Sequence, residues 1–406
     1  MNKLYRLTTI CLVLFSIFSV YVSIPSENNF FTAADEGFYF TFARLIRENG
    51  IAHFPALAKN YVSDKEVQIY PTPLRVGHIL STALWFRLFP NTYVSLARFS
   101  FFCFILFLVV SFYFARRNFG SDIAYLLVLL LSSSPLIMAM GRRALSDSYG
   151  NFLCGLTIWL FLDFLRRENK IKYFIFLIVY SLTVTVRESS VALLLFFVGF
   201  FLIYKHVYKR SISNTYLLGI ILLPVFLVGT SYVILFGGVG SFIGLLREAV
   251  PLHFGTPPSS YSLLYCTGPW YRFIVDFLLL TPITTLLFIG YFSYMLLTRK
   301  FEWRITYFMA YFTTIFILFS ILKYDKVVRF VINLETVIAL FSVTALYELF
   351  RQRNEKRQIN LVFITTVVIF LINYLSFIDI FLFNGVYDPI SYPLLVIRKF
   401  IPGLRY

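Results

Sequence analysis

Charge is what this chain lacks most: only 14% of its 406 residues are Asp, Glu, Lys or Arg, against about 25% in soluble domains. So small a fraction excludes an ordinary water-facing surface. Cysteine is scarce as well. Cys11, Cys103, Cys154 and Cys266 stand far apart, and the first three fall inside apolar runs. That spacing indicates neither a disulfide framework nor a zinc site. Histidine is limited to His53, His78, His206 and His253. They are not spaced as ligands, so a histidine metal site is not indicated. Acidic residues number 20 against 36 basic ones, a formal net charge of +16. The basic residues are scattered between apolar spans rather than clustered on one polar domain, which argues against nucleic acid as a partner. They suit membrane lipids with anionic headgroups, or phosphorylated lipids.

What is abundant is apolar. Hydrophobic residues make up 59% of the chain, with 49 Phe and 28 Tyr. Aromatic rings are expected between packed helices and at the lipid interface. A helix needs about 20 apolar residues to cross a bilayer. The runs predict eleven spans, near 5–24, 95–115, 121–140, 148–165, 171–186, 189–207, 215–236, 272–297, 304–322, 327–349 and 359–383. The expectation is an all-α polytopic membrane protein with about 11 transmembrane helices. The first run, Leu7 to Val22 behind Lys3, has the shape of a signal peptide. No small-x-small cleavage site follows it, the flank being Val22-Ser23-Ile24-Pro25. It is read as a retained first helix.

Basic turns set the orientation. Arg116-Arg117, Arg166 to Lys172, Lys205 to Arg210, Arg299 to Arg304 and Arg351 to Arg357 all fall on the side of Lys3 and Arg6. That side is read as cytoplasmic. The first external loop then spans residues 25–94, the second residues 237–271, and an external tail runs over 384–406. Residues 1–383 form one membrane domain in this reading.

Long loops usually carry function, and the first has helical texture. From Asp35 the run DEGFYFTFARLIRENG puts Phe38, Phe42, Leu45 and Ile46 on one face, with Gly50 as a C-terminal cap. Thr32 precedes Asp35 at capping-box spacing. After Pro71 and Pro73, a second run aligns Val76, Ile79, Leu80, Ala83, Leu84 and Leu88. Both are expected to be amphipathic surface helices in that loop.

The external junctions hold charges that the positive-inside pattern does not explain. These are Arg142, Arg143 and Asp147; Arg187 and Glu188; and Lys323, Asp325, Lys326 and Arg329, with Glu335 deeper. Charges at membrane depth are costly and usually face a cavity or one another. All lie on the side of Asp35. Plainer accounts exist for each. Asp35 and Glu36 favour a helix N-terminus. Arg142 and Arg143 reach headgroups by snorkelling. Arg187 pairs locally with Glu188, and Lys323 to Arg329 is an interfacial cluster.

The order of these features resembles the GT-C superfold, in its protein O-mannosyltransferase, lipid A aminoarabinose transferase and Rgt-type branch. Asp35-Glu36 stands where that branch carries its Asp-Glu motif. Tyr70-Pro71-Thr72-Pro73-Leu74 is similar to its proline-rich motif, with Pro-Thr-Pro in place of paired prolines. Leu88-Phe89 through Ala97-Arg98 resembles the stretch entering the second span. Arg142, Arg143, Ala144 and Asp147 match the basic-then-acidic element after the third span. Arg187 stands where many members have Lys. Tyr324 and Arg329-Phe330 resemble the late Arg-aromatic motif, which here continues Val331-Ile332-Asn333 without prolines.

The resemblance implies a membrane glycosyltransferase. Its donor is a polyprenyl-phosphate-linked sugar, and its acceptor an extracytoplasmic glycolipid, polysaccharide or protein. In this expectation Asp35 is the catalytic base of an inverting displacement. Glu36, Asp147 and Tyr70 orient acceptor or sugar. Arg142, Arg143, Arg187, Arg329 and Tyr324 bind the donor phosphate. No cofactor is required, since arginines neutralise one phosphate; a divalent cation on Asp35 and Asp147 stays open. The expected location is a bacterial inner or plasma membrane. Rival readings are an O-antigen ligase or polymerase-like enzyme, a lipid-linked sugar flippase or transporter, and a structural scaffold. The first carries its large loop late, the second usually shows internal repeats, and the third gives the gathered charges no purpose.

Overall fold

A computed structural model describes residues 1–27, 34–252, 266–299, 302–323 and 326–385. Thr32, His253, Tyr324 and Asp325 therefore lie outside the described residues, as does the tail beyond Gly385. Helices account for the described structure, and no strand occurs among these residues.

The chain opens with α1 (Lys3–Val22), followed by α2 (Ala34–Asn49), α3 (Phe54–Ser63) and α4 (Val76–Leu88). Next come α5 (Tyr93–Phe119), α6 (Ser121–Ser133), α7 (Pro135–Gly141), α8 (Asp147–Arg166) and α9 (Lys170–Val186). A 3-10 turn at Glu188–Ala192 leads into α10 (Leu193–His206), then α11 (Asn214–Leu235) and α12 (Val239–Leu252). The last third holds α13 (Arg272–Leu280), α14 (Pro282–Thr298), α15 (Trp303–Ser320), a 3-10 stretch at Val328–Leu334, α16 (Glu335–Leu349) and α17 (Glu355–Phe377).

Seven helices among the described residues are long and apolar enough to cross a membrane, or eight if the bent pair α6 and α7 is one span. The other three expected spans are also helical. Lys170–Val186 is one, Trp303–Ser320 another, and the third is divided at Thr281 into α13 and α14. Pro282 explains that division, since the residue before a proline is pushed out of helical geometry. The 65° bend between α6 and α7 has the same cause. Pro135 removes an N–H, Ser134 takes φ −59 and ψ 120, and its hydroxyl accepts from Ile137 N at 3.4 Å.

The first loop is helical where the periodicity predicts, with an added element and with a different buried face on its last helix. In α2, Phe42 and Ile46 are buried and Phe38 and Leu45 pack against the same cluster. Gly50 ends it with φ 73, its N–H donating to Ile46 O at 2.9 Å. In α4, Val76, Ile79, Ala83 and Phe86 are buried, whereas Leu84 and Leu88 face outward. The added element is α3, whose Phe54, Leu57, Ala58 and Tyr61 complete this small core with Tyr232 and Phe236 of the α11 end.

The two ends of the helical bundle differ in charge chemistry. At the basic end, Asp163 of α8 pairs with Arg117 at 3.0 Å and Lys172 at 2.8 Å, tying α5, α8 and α9 together. At the other end, α8 begins with buried Asp147. The two carboxylates stand 16 residues apart on α8, about 24 Å at 1.5 Å per residue.

Candidate active site

Three chain breaks deliver the charges to one place. The bend at Ser134–Pro135 turns α7, so that its end at Gly141 leads into Arg142, Arg143 and the start of α8. The junction of α9 with the 3-10 turn carries Arg187 and Glu188, and the 3-10 stretch before α16 carries Arg329. The first turn of α2 supplies Asp35 and Glu36.

Asp35 Oδ2 lies 2.7 Å from Arg329 Nη2. Arg329 Nη1 is 3.8 Å from Asp147 Oδ2, and Asp147 Oδ1 is 3.6 Å from Arg187 Nη1. Both Arg187 terminal nitrogens donate to the Arg329 carbonyl at 3.4 Å. Both guanidiniums lie over the Phe330 ring, that of Arg187 at 4.9 Å and that of Arg329 at 5.5 Å from its centroid. Cation–π attraction offsets part of the repulsion between these like charges. Burial lowers the Arg187 pKa from its usual value, with Asp147 opposing.

Glu36 is fully buried. Its Oε1 accepts from Arg143 Nε and from Ala144 N, both at 3.0 Å. A helix-dipole role alone does not require these contacts; Glu36 fastens α2 to the loop between α7 and α8.

Of the residues expected from the sequence, Asp35, Glu36, Arg143, Asp147, Arg187 and Arg329 thus come together. Arg142 turns aside, donating to the Phe381 carbonyl at 3.3 Å. Tyr70 stacks on Phe38 at 4.3 Å, one turn along α2 from Asp35. Arg187 and Glu188 do not pair with each other. Arg187 is extended, with φ −147 and ψ 105, and Glu188 begins the 3-10 turn, so adjacent side chains diverge.

Glu188 instead meets Arg75, which the sequence reading passed over. Arg75 Nε lies 2.8 Å from Glu188 Oε2, and Arg75 Nη2 lies 2.9 Å from Oε1, a bidentate pair. Arg75 Nη1 also donates to the Tyr39 hydroxyl, which accepts from Ser146 Oγ at 3.0 Å. Burial acts to lower the Arg75 pKa, but Glu188 and Tyr39 overcome it and hold it above its usual value. Burial pushes the Tyr39 phenol up to about 12, with Arg75 opposing. The signal for Arg75 was its place directly after Pro73-Leu74.

Four carboxylates and four guanidiniums therefore form three neighbouring sets around the start of α2: Asp35 and Asp147 with Arg329 and Arg187, Glu36 with Arg143, and Glu188 with Arg75. Groups so arranged can hold an anion on arginine while presenting a carboxylate to a neighbouring hydroxyl.

A family model described as dolichyl-phosphate-mannose-protein mannosyltransferase matches residues 76–233, less than half of the chain. Among solved structures, ArnT from Cupriavidus metallidurans in the apo state is similar with a TM-score of 0.57 and 12% identity, covering 91% of this chain and 76% of that one. The same protein bound to undecaprenyl phosphate gives a TM-score of 0.55 and 14% identity, covering 97% of this chain and 75% of that one. No curated protein matches in sequence. With its helical bundle, bent third span and helical first loop, the chain is a membrane protein of the GT-C glycosyltransferase fold.

Proposed function

We propose that this protein transfers a sugar from a polyprenyl-phosphate donor to an extracytoplasmic hydroxyl acceptor, a glycolipid, polysaccharide or protein, with inversion. One observation carries the reading: Asp35 sits 2.7 Å from Arg329, with Asp147 and Arg187 directly behind. A base and a phosphate-holding cation are thereby adjacent, as a single displacement needs. Residues 1–383 act in it as one catalytic membrane domain.

In this mechanism the donor phosphate settles on Arg329 and Arg187, with Arg143 contributing positive charge. Asp35 takes the acceptor proton as the acceptor oxygen bonds to the anomeric carbon. The bond from that carbon to the phosphate oxygen breaks, and its electron pair leaves with the phosphate. The transition state is oxocarbenium-like. Fixed guanidiniums in a water-poor site stabilise the charge developing on the leaving group. Asp147 keeps the two arginines in register. Arginines suffice to neutralise one phosphate, so no metal enters these steps.

The test is transfer from undecaprenyl-phosphate-linked sugars by purified protein. Asp35→Asn is expected to lose about 100- to 10,000-fold in rate while still binding undecaprenyl phosphate. Transfer should persist in EDTA. Full activity in Asp35→Asn would remove Asp35 from the role of base.

A further inference from the structure

Beneath Arg187 lies a small pocket bounded by Asn151, Cys154, Ser190 and Asn333. It has room for about one water-sized group. Gly150 opens it: a Cβ there would stand 3.4 Å from Arg187 Cδ, so the arginine lies close along α8. Two amide oxygens at the pocket, Asn151 Oδ1 and Asn333 Oδ1, are buried with no partner. Asn151 is only 3% exposed. Asn333 Nδ2 donates to Cys154 Sγ at 3.1 Å, which sets the orientation of that amide. Buried amide oxygens are nearly always hydrogen-bonded. Two of them beside one guanidinium point to a donor that comes from outside the chain.

The pocket selects among such donors. An ammonium has protons for both oxygens but meets the positive charge of Arg187. A methyl group leaves both oxygens unpaired. A hydroxyl accepts from the guanidinium and gives its proton to an amide oxygen. Arg187 also pairs with Asp147, which meets Arg329. A sugar bonded to a phosphate on Arg329 therefore lies next to this pocket. We infer that the pocket takes a neutral hydroxyl of the donor sugar, so that the transferred sugar is hydroxylated at that position rather than an amino sugar. This rests on the polyprenyl-phosphate donor reading above.

The experiment compares an undecaprenyl-phosphate-linked neutral hexose with an undecaprenyl-phosphate-linked aminopentose on the full-length protein. Wild type is expected to favour the hexose by about 100-fold in kcat/KM, as sites that hydrogen-bond a substrate hydroxyl discriminate strongly. Asn151→Leu and Asn333→Leu should each cut that preference about tenfold or more. Asn151→Ser and Asn333→Ser serve where the leucine variants do not fold. Undecaprenyl phosphate without sugar should bind wild type and variants within about twofold, which reports both folding and the phosphate site. A wild-type preference for the aminopentose overturns the inference. So do variants that slow both donors equally, because the pocket would then hold only a structural water. If undecaprenyl phosphate does not bind and neither donor reacts, the donor reading falls and the inference with it. If the lipid phosphate binds but the sugars are not distinguished, only the inference falls.

Discussion

Arg329 cannot hold a donor phosphate and the Asp35 carboxylate equally well at once. In the proposed mechanism a phosphate arriving there competes with Asp35 for the guanidinium, and its arrival frees the carboxylate next to the leaving group. Donor entry and activation of the base would then be one event. Asp35→Asn keeps the shape and removes the competing charge, so undecaprenyl phosphate should bind about fivefold tighter, the equivalent of an ion pair of about 1 kcal/mol. Arg329→Ala should bind it at least about tenfold more weakly. Titration of both variants by lipid-induced thermal shift checks this, and equal affinities would place the phosphate elsewhere. His78 gives a second prediction. It is fully buried against Tyr39, with ring centroids 4.7 Å apart, and burial and the nearby Arg75 lower its pKa to about 3. The folded state therefore keeps it neutral. Stability from that neutrality is complete above the unfolded value of about 6.5 and declines as pH falls toward 3. At pH 5 the loss should be about 2 kcal/mol, and His78→Phe should flatten the fall in Tm between pH 7 and 5. Single residues were partly legible in the sequence. The charges on the Asp35 side could be gathered from span order, but their pairings could not. Backbone direction at Arg187 and Glu188 decides those, sending neighbours to partners forty or more residues away.

Elements hold these residues by close approach and by breaks. Gly77 of α4 faces the end of α9, where an added Cβ would sit 2.9 Å from Val186 Cγ2 and 3.1 Å from the Thr185 carbonyl carbon. The nearest obstacles are Thr185 Oγ1 and the Val186 methyl, short β-branched side chains with little freedom to swing away, and the backbone stands just behind them. Gly77→Ala should therefore push α4 off α9 and cost about 1–3 kcal/mol, read as a lower Tm in detergent. Arg75 begins the turn into α4, so the same variant should loosen its bidentate pair with Glu188 and slow transfer. Unchanged Tm and rate would mean that the crossing tolerates a methyl group. The long apolar helices and α2 were readable because their periodicity and caps agree. The helix α3 was not: FPALAKNYVS is ten residues long and has proline at its second position, a pattern that reads equally well as loop. The division of the 272–297 segment was signalled by Thr281-Pro282, but an unbroken hydropathy profile hid it. Its charged residues Arg272 and Asp276 pair within α13 at 3.6 Å and lie before the break, so they do not mark it.

The molecule as a whole is polar in its direction. Basic turns gather at one end of the helices, and there Asp163 binds Arg117 and Lys172. At the far end carboxylates and guanidiniums alternate from Arg143 and Glu36 to Arg187 and Asp147. A bilayer treats these ends differently. Arginine- and lysine-rich short turns are retained in the cytoplasm, and turns of that kind lie at the Asp163 end. The site should then face away from the cytoplasm. The claim can be checked in whole cells with single cysteines placed at exposed positions of each end, Ser63 in α3 and Gln352 before α17. The background is Cys11→Ser, because Cys11 is exposed while Cys103, Cys154 and Cys266 are buried. A membrane-impermeant maleimide should label Ser63→Cys in intact cells and Gln352→Cys only after the membrane is opened. The reverse pattern would put the carboxylate–arginine cluster in the cytoplasm and require a donor presented on that leaflet. Labelling of both in intact cells would contradict a bundle that crosses the bilayer between these two positions.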